Sequence, residues 1–196
     1  HSFGMKLIEE FYEDLGLERP PKLLDDSDTV LLYDEILENH EWKRLRKRNG
    51  GEHNFGDLKS LISFLKRERI SSGDFAVQVL AETDSVKKNP ENISSRGETK
   101  GQLKSIVLAK LESLERTKEA AKFCVLYEEA KRDKNVLDYD DVLEKIVELV
   151  KKSEDVRDTL RERFLYVLVD EHQDSSGVQN EFLESVWAGT EKPNLF

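Results

Sequence analysis

Two adjacent carboxylates, Asp170 and Glu171, follow directly after an apolar run at residues 164–169. The run is rich in β-branched and aromatic residues and too short for a helix of its own, which is typical of a parallel strand buried on both faces. Carboxylates at the carboxyl end of such a strand lie at the edge where α/β sheets bind ligands. There, one carboxylate can hold Mg²⁺ beside nucleotide phosphates while its neighbour orients or deprotonates the attacking water.

The same residues also fit a purely structural role. In that reading a buried strand ends in an acidic turn, and Ser175 or Ser176 caps the next helix. An apolar strand followed by Asp-Glu alone favours this structural reading, because such combinations are common. The five-residue string Asp-Glu-His-Gln-Asp at residues 170–174 is much rarer, and it keeps the catalytic reading open.

Two basic clusters are the next candidates for a binding surface. The first cluster consists of Lys43, Arg44, Arg46, Lys47 and Arg48. The second consists of Lys66, Arg67 and Arg69. Such side chains can position a protein on duplex DNA through phosphate contacts, but most charge runs are solvated helix faces. Both readings stay open on the sequence.

Histidine and cysteine do not indicate a metal centre or a nucleophile. His40 and His53 have no partners at ligand spacing, and with the single cysteine, Cys124, they form no zinc pattern. Cys124 lies between apolar neighbours, so we expect it in the core. Trp42 and Trp187 are expected to be packing residues as well.

The composition favours long, solvated helices. The 196 residues include 31 Lys plus Arg against 41 Asp plus Glu, and the net charge is −10. Charged residues make up 37% of the chain, against roughly 25% in an ordinary domain. Only 10 Gly and 4 Pro are present, which argues against collagen-like and many-turn all-β architectures. The acidic balance predicts weak nonspecific attraction to nucleic acid, so any such contact must come from local patches.

The elements that must position these residues are mostly helical. Apolar residues recur at helical spacing at residues 5–15, across most of residues 28–132, and again at residues 142–150, 156–164 and 178–186. Residues 84–100 are polar and aperiodic, which predicts a loop. Residues 194–196 resemble the start of a second strand, so we expect an excised fragment of a larger α/β protein.

Four segments, which follow the family's order along the chain, resemble UvrD/Rep-type superfamily 1 helicases. Residues 169–176, followed by Gln179, resemble the family's Walker B segment. Residues 137–143 (Leu-Asp-Tyr-Asp-Asp-Val-Leu) are similar to its Leu-Asp-Phe-Asp-Asp-Leu-Leu stretch. Residues 1–3 (His-Ser-Phe) resemble its Thr-Phe-His-Ser-Phe segment, and residues 62–75 are similar to its helical insert.

The resemblance implies an α/β, predominantly helical fold in which part of a RecA-like parallel-sheet domain is interrupted by an all-helical insert. Residues 1–19 and 136–196 would belong to the first RecA-like motor domain, and residues 20–135 would form the insert. The parent would be a cytoplasmic ATP-dependent DNA helicase of repair, replication or recombination, nucleoid-associated if bacterial. A helicase–nuclease subunit with a similar motor sequence is an alternative parent. It would couple Mg·ATP hydrolysis to movement on single-stranded DNA and to duplex unwinding. We expect the fragment itself to be monomeric, with no membrane partner.

The resemblance also implies roles for individual residues. Asp170 would bind Mg²⁺ together with Glu171, Glu171 would activate the attacking water, and Gln173 would couple the γ-phosphate state to the DNA site. The DNA-contacting residues would be His1, Phe3 and Tyr139, with the basic cluster at residues 43–48 as a further candidate.

The sequence departs from the family pattern in two places. No G-x-x-x-x-G-K-[ST] occurs, so the Walker A loop that cradles phosphates is absent from this chain, and we expect the isolated chain to bind no ATP or Mg²⁺ and to be inactive. His172 stands where the family usually has an aromatic residue. The alternative from a different class is a non-catalytic, acidic helical module that binds a protein partner.

Overall fold

The computed structural model describes residues 2–45, 55–95, 99–171, 173 and 175–188. It is mostly helical with one small parallel sheet, which confirms the α/β, predominantly helical class. The elements in chain order are α1 (Ser2–Glu10), β1 (Lys22–Leu23), α2 (Asp26–Asn39), α3 (Phe55–Arg67), α4 (Ser72–Lys88), α5 (Ser105–Lys134), β2 (Val136–Leu137), α6 (Tyr139–Lys152), α7 (Glu154–Arg163) and α8 (Gly177–Trp187). Among the helices described, none has the length and apolar character that crossing a membrane requires.

Residue contacts divide the chain into two units. The first unit consists of His1–Asp25 and Asn135–Phe196, and the second consists of Asp26–Lys134. By residue contacts, residues 20–25 and Asn135 fall in the first unit, where β1 pairs in parallel with β2. The assignment of residues 20–135 to a helical insert of a motor domain stays a prediction.

The first unit has a core formed by one apolar face of each of its helices. Ile8 of α1, Val142 and Leu149 of α6, Leu160 of α7 and Val186 of α8 are all fully buried in this core. Removing such side chains from water contributes roughly 1.5–3 kcal/mol for each residue. This burial holds in place the helices on either side of the acidic turn at Asp170.

Side-chain caps determine where two helices of the first unit begin. At the start of α6, the Asp138 carboxylate accepts the Asp141 N–H at 2.9 Å, and the Asp141 carboxylate accepts the Asp138 N–H at 3.0 Å. Ser176 and Gln179 form the same reciprocal arrangement at the start of α8, so Ser176 is the cap of the two serines considered. A cap of this kind typically contributes about 1 kcal/mol.

The second unit is built around a cluster of buried aromatic rings. The Tyr33 ring packs edge-to-face against Phe123 and Tyr127, each with a centroid distance of 5.0 Å. Cys124 and Trp42 are 2% and 4% exposed, which confirms that both are core residues. The aromatic faces of α2 and α5 therefore hold the unit together.

The prediction of a doubly buried strand at residues 164–169 is wrong. Leu165, Tyr166 and Leu168 are 63%, 67% and 81% exposed. A buried strand needs neighbouring strands that satisfy its backbone and cover its faces. In the described parts of the chain β1 and β2 form the one sheet, and within the apolar run Val167 alone makes a β-bridge, so the run is not covered as a central strand would be.

The predicted loop at residues 84–100 is shorter than expected. Helix α4 continues to Lys88, because Val79, Thr83 and Val86 form a buried stripe at helical spacing. A short 3-10 helix, Pro90–Asn92, follows it. The predicted strand at residues 194–196 lies outside the described residues.

Candidate functional site

The residues expected to carry chemistry lie on one exposed turn of the first unit, between α7 and α8. The Asp170 Oδ1 atom accepts the backbone N–H of Glu171 at 2.9 Å. The Glu171 Oε2 atom accepts a hydrogen bond from the Nε2 atom of Gln173. The turn therefore brings Asp170, Glu171 and Gln173 into one local hydrogen-bonded group. All three side chains are exposed to solvent.

Glu171 has an unusual backbone conformation. Its φ of 49° lies in the left-handed region, which few non-glycine residues adopt. Such a conformation costs on the order of 1–3 kcal/mol and persists only where the surroundings support it. Support comes from the Asp170 carboxylate, because aspartate side chains stabilise tight turns by accepting nearby backbone N–H groups.

Asp170 and Glu171 have the donor chemistry of a magnesium site. Mg²⁺ is usually held by one or two carboxylates together with substrate phosphates and water. An ionised carboxylate offers about four acceptor sites, so the hydrogen bonds of this turn leave acceptor capacity on both side chains. The residues present therefore fit this cation.

A cavity of about 280 Å³ lies next to the acidic turn, within the same unit. Val169 and Ser175, which flank the turn, line it together with Phe3 of α1 and Gln179 of α8. The structure thus brings Phe3, which we expected to contact DNA, to the same cavity as the two ends of the acidic turn.

The two aromatic residues expected to contact DNA are both partly exposed. Phe3 is 42% exposed and packs edge-to-face against Phe164 at 5.5 Å and Phe182 at 6.3 Å. Tyr139 is 37% exposed and is the first residue of α6. A partly exposed ring can stack on a base, and it can equally be a packing residue, so the DNA-facing role of both remains a prediction.

The described part of the basic cluster, Lys43 to Leu45, is held by a residue that we did not anticipate. Glu119 of α5 accepts three successive backbone N–H groups: that of Lys43 at 2.9 Å, that of Arg44 at 2.8 Å and that of Leu45 at 3.0 Å. Partial burial acts to raise the pKa of Glu119, but the three N–H donors and the nearby Arg44 charge outweigh it, and the net pKa is lowered. No local pattern could have revealed Glu119, because it lies more than seventy positions away along the chain.

Several predicted positions lie outside the described residues. These are His1, Arg46, Lys47, Arg48 and His172. Their assignments stay predictions.

The Cys124 thiol is buried, and its surroundings make it unreactive. Burial, with a smaller contribution from the Glu128 charge, raises the pKa of its thiol to about 12. The thiolate is the nucleophilic form of cysteine, so this residue is a core residue rather than a catalytic one.

Comparison with known proteins gives a family for the whole chain. The family model described as UvrD/REP helicase N-terminal domain matches residues 1–196. An ATP-dependent helicase/nuclease protein of Lactococcus lactis subsp. lactis is 36% identical over 70 residues, which are 36% of this chain and 6% of that protein. The exonuclease/helicase protein RexA of Lactococcus lactis subsp. cremoris is 34% identical over 74 residues, which are 38% of this chain and 6% of that protein.

These relatives are much longer than the stretch they share with this chain, since each match covers 6% of the relative's length. The family model, in contrast, covers every residue of the chain. The resemblance of this chain to UvrD/Rep-type helicases is thereby confirmed. The chain belongs to the family of UvrD/REP helicase N-terminal domains.

Proposed function

We propose that this chain is part of an ATP-dependent DNA helicase in which the turn at residues 170–173 takes part in nucleotide hydrolysis. The observation that carries the proposal is the hydrogen-bonded group of Asp170, Glu171 and Gln173 on one exposed turn. Family membership supports it, because the family model covers these residues and the sequence of the turn resembles the family's Walker B segment.

Each residue of the turn has a distinct role in this proposal. Asp170 and Glu171 would hold Mg²⁺, which when bound would supply charge neutralisation at the phosphates. Glu171 orients the attacking water and accepts its proton, and its bond from the Gln173 amide fixes the carboxylate in place. Gln173 responds to the presence of the γ-phosphate by changing this bond. Water attack on a γ-phosphate depends mainly on positioning and on charge stabilisation, which such a turn can provide.

The same proposal places single-stranded DNA beside Phe3 and Tyr139. Both are partly exposed aromatic residues of the first unit, and stacking on a base needs only an accessible ring face. Phe3 and the flanks of the acidic turn share one cavity, which offers a short route from the nucleotide to the DNA. We place duplex DNA at the basic cluster, and the protein itself in the cytoplasm.

The test is DNA-stimulated ATP hydrolysis by the full-length protein. Glu171→Gln removes the base but keeps the size of the side chain, and we expect activity to fall by at least about a hundredfold, the usual scale for a general base. Glu162→Gln is the matched control, because Glu162 is an exposed glutamate on α7 of the same unit. We expect this variant to keep wild-type activity.

Two results would contradict the proposal. One is a full-length protein without ATPase activity in the presence of single-stranded DNA and Mg²⁺. The other is equal loss, or no loss, in the two glutamine variants. Either result would favour the acidic helical interaction module as the function of this chain.

A further inference from the structure

The backbone at Lys43, Arg44 and Leu45 is tied to helix α5 by a single carboxylate. Glu119 accepts all three successive N–H groups at 2.8–3.0 Å. Hydrogen bonds to an ionised acceptor are roughly twice as strong as those between neutral groups. The net lowering of the Glu119 pKa has the same origin, since the N–H donors favour the charged carboxylate more than partial burial disfavours it. This segment therefore has a defined backbone although it is not part of a helix or strand.

A buried tryptophan anchors the chain immediately before this segment. Trp42 is 4% exposed, and its ring lies 6.2 Å from the Phe123 ring. The Lys122 Nζ atom lies 4.7 Å from the centre of the Trp42 ring, within cation–π distance. Trp42 and Glu119 thus attach two consecutive parts of the chain to the same helix.

The side chains of Lys43 and Arg44 are exposed beside this fixed backbone. Other lysines of the second unit form ion pairs, among them Lys59 with Asp26 and Lys110 with Glu82. Within the described parts of the chain, no carboxylate lies within ion-pair distance of the Lys43 or Arg44 side chain. The Arg44 charge acts on the Glu119 carboxylate, and both side chains are exposed to solvent, where an anionic partner can reach them.

The distribution of charge points to the same unit. The second unit contains 21 Lys and Arg against 20 Asp and Glu, whereas the first contains 10 against 21. The acidic character of the chain is therefore confined to the first unit, and the repulsion expected between an acidic protein and DNA does not apply equally to both units.

We infer that Glu119 is a positioning residue that holds Lys43 and Arg44 as a phosphate-binding edge for DNA. The inference rests on the DNA-binding part of the proposed function. Two cations on a fixed backbone lose little conformational freedom when they contact phosphates, and DNA has the high linear charge density that makes each such contact favourable through counterion release.

Whether Glu119→Gln strengthens or weakens DNA binding distinguishes the positioning role from a general electrostatic effect. Removing a carboxylate from a protein reduces its repulsion of DNA and so strengthens binding. Glu119→Gln removes one negative charge, yet the positioning role predicts weaker binding, because a neutral amide offers one oxygen where the carboxylate offers two. Glu129→Gln is the matched control, since Glu129 is an exposed glutamate on the same helix.

The experiment measures duplex DNA binding by the full-length protein over a range of salt concentrations. Each phosphate contact that is lost lowers the slope of log Kobs against log[salt] by about 0.9, which is about an eightfold loss of affinity at 0.1 M salt. We expect Glu119→Gln to lose one to two contacts by this measure. Glu129→Gln should keep the wild-type slope and bind as tightly as the wild type or slightly more tightly.

A double-mutant cycle distinguishes positioning from a merely structural effect. Lys43→Ala/Arg44→Ala changes two exposed side chains and leaves the backbone bonds to Glu119 intact, so it should fold normally and show the same reduced slope. Adding Glu119→Gln to this background should then change the slope no further. Hydrogen exchange of the three amides should be faster in Glu119→Gln and unchanged in Glu129→Gln.

The outcomes separate this inference from the proposed function. If the wild type binds DNA and Glu119→Gln binds as Glu129→Gln does, the positioning role is wrong and the helicase proposal stands. If Glu119→Gln weakens binding equally in the presence and absence of Lys43 and Arg44, Glu119 acts elsewhere and the inference is again wrong. If the wild type binds no DNA even at low salt, both proposals fail.

Discussion

Gly4 of α1 has the tightest surroundings among the glycines whose neighbours the structure describes, so we expect it to tolerate an added methyl group poorly. A Cβ atom built on Gly4 would lie 2.7 Å from the Cγ1 atom of Val142 on α6, and 3.5 Å from the Cγ2 atom of Ile146. Two carbon atoms at optimal contact are about 3.5–4.0 Å apart. The substitution Gly4→Ala therefore requires either α1 or Val142 to move.

The expected cost follows from two opposing contributions. Val142 is fully buried and β-branched, so its side chain has little freedom to rotate away. Overpacking of this kind lowers the free energy of unfolding by about 1–3 kcal/mol. The higher helix propensity of alanine raises it by at most about 1 kcal/mol. We therefore expect Gly4→Ala to lower the free energy of unfolding of the first unit by about 1–2 kcal/mol.

Urea unfolding followed by tryptophan fluorescence can measure this change, with Trp187 reporting the first unit in a Trp42→Phe background. Gly73→Ala is the control, because Gly73 is also in the first turn of its helix and its Cβ would meet only Ser71 Oγ, at 3.8 Å. This control, read from Trp42 in a Trp187→Phe background, should leave the second unit unchanged or slightly more stable. A Gly4→Ala variant as stable as the wild type would refute the packing argument.

Two further predictions concern titratable groups of the second unit. Because the folded-state pKa of Glu119 is lowered, its stabilising contribution should be present above the ordinary value of 4.5 and lost as the pH falls through the folded pKa. The stability difference between wild type and Glu119→Gln, measured by urea unfolding at several pH values, should therefore shrink below that pH; a constant difference would contradict the hydrogen-bonding account. Cys124, with a thiol pKa of about 12 and 2% exposure, should react with a thiol reagent at pH 8 only when the protein unfolds. Labelling in native buffer at the rate of a free thiol would show that its surroundings open readily.

Helices were the most predictable part of this fold, because their signals are local. The spacing of apolar residues around Val142 and Phe182 predicts α6 and α8, and one of the two serines predicted to cap the latter, Ser176, is its N-cap. The prediction was wrong at residues 164–169, where composition alone suggested a buried strand. Composition records that residues are apolar, but burial depends on what packs against them.

Parts of the candidate site were predictable for a similar reason. Asp170, Glu171 and Gln173 are close in sequence, so one turn suffices to bring them together, and their family resemblance rests on adjacent residues. Their catalytic roles remain predictions. Glu119 was missed, because its partners lie on another segment and nothing in the residues around it marks it as a carboxylate that binds backbone N–H groups.

The sequence by itself determined most of the helices and the family, since each depends on residues a few positions apart or on an ordered string of them. Only the tertiary structure decided that Gly4 faces Val142, that Phe3 shares a cavity with the flanks of the acidic turn, and that Glu119 holds the backbone at Lys43. Each of these contacts joins residues that are distant in the chain but lie in the same unit. They exist only because the core of that unit packs its helices together.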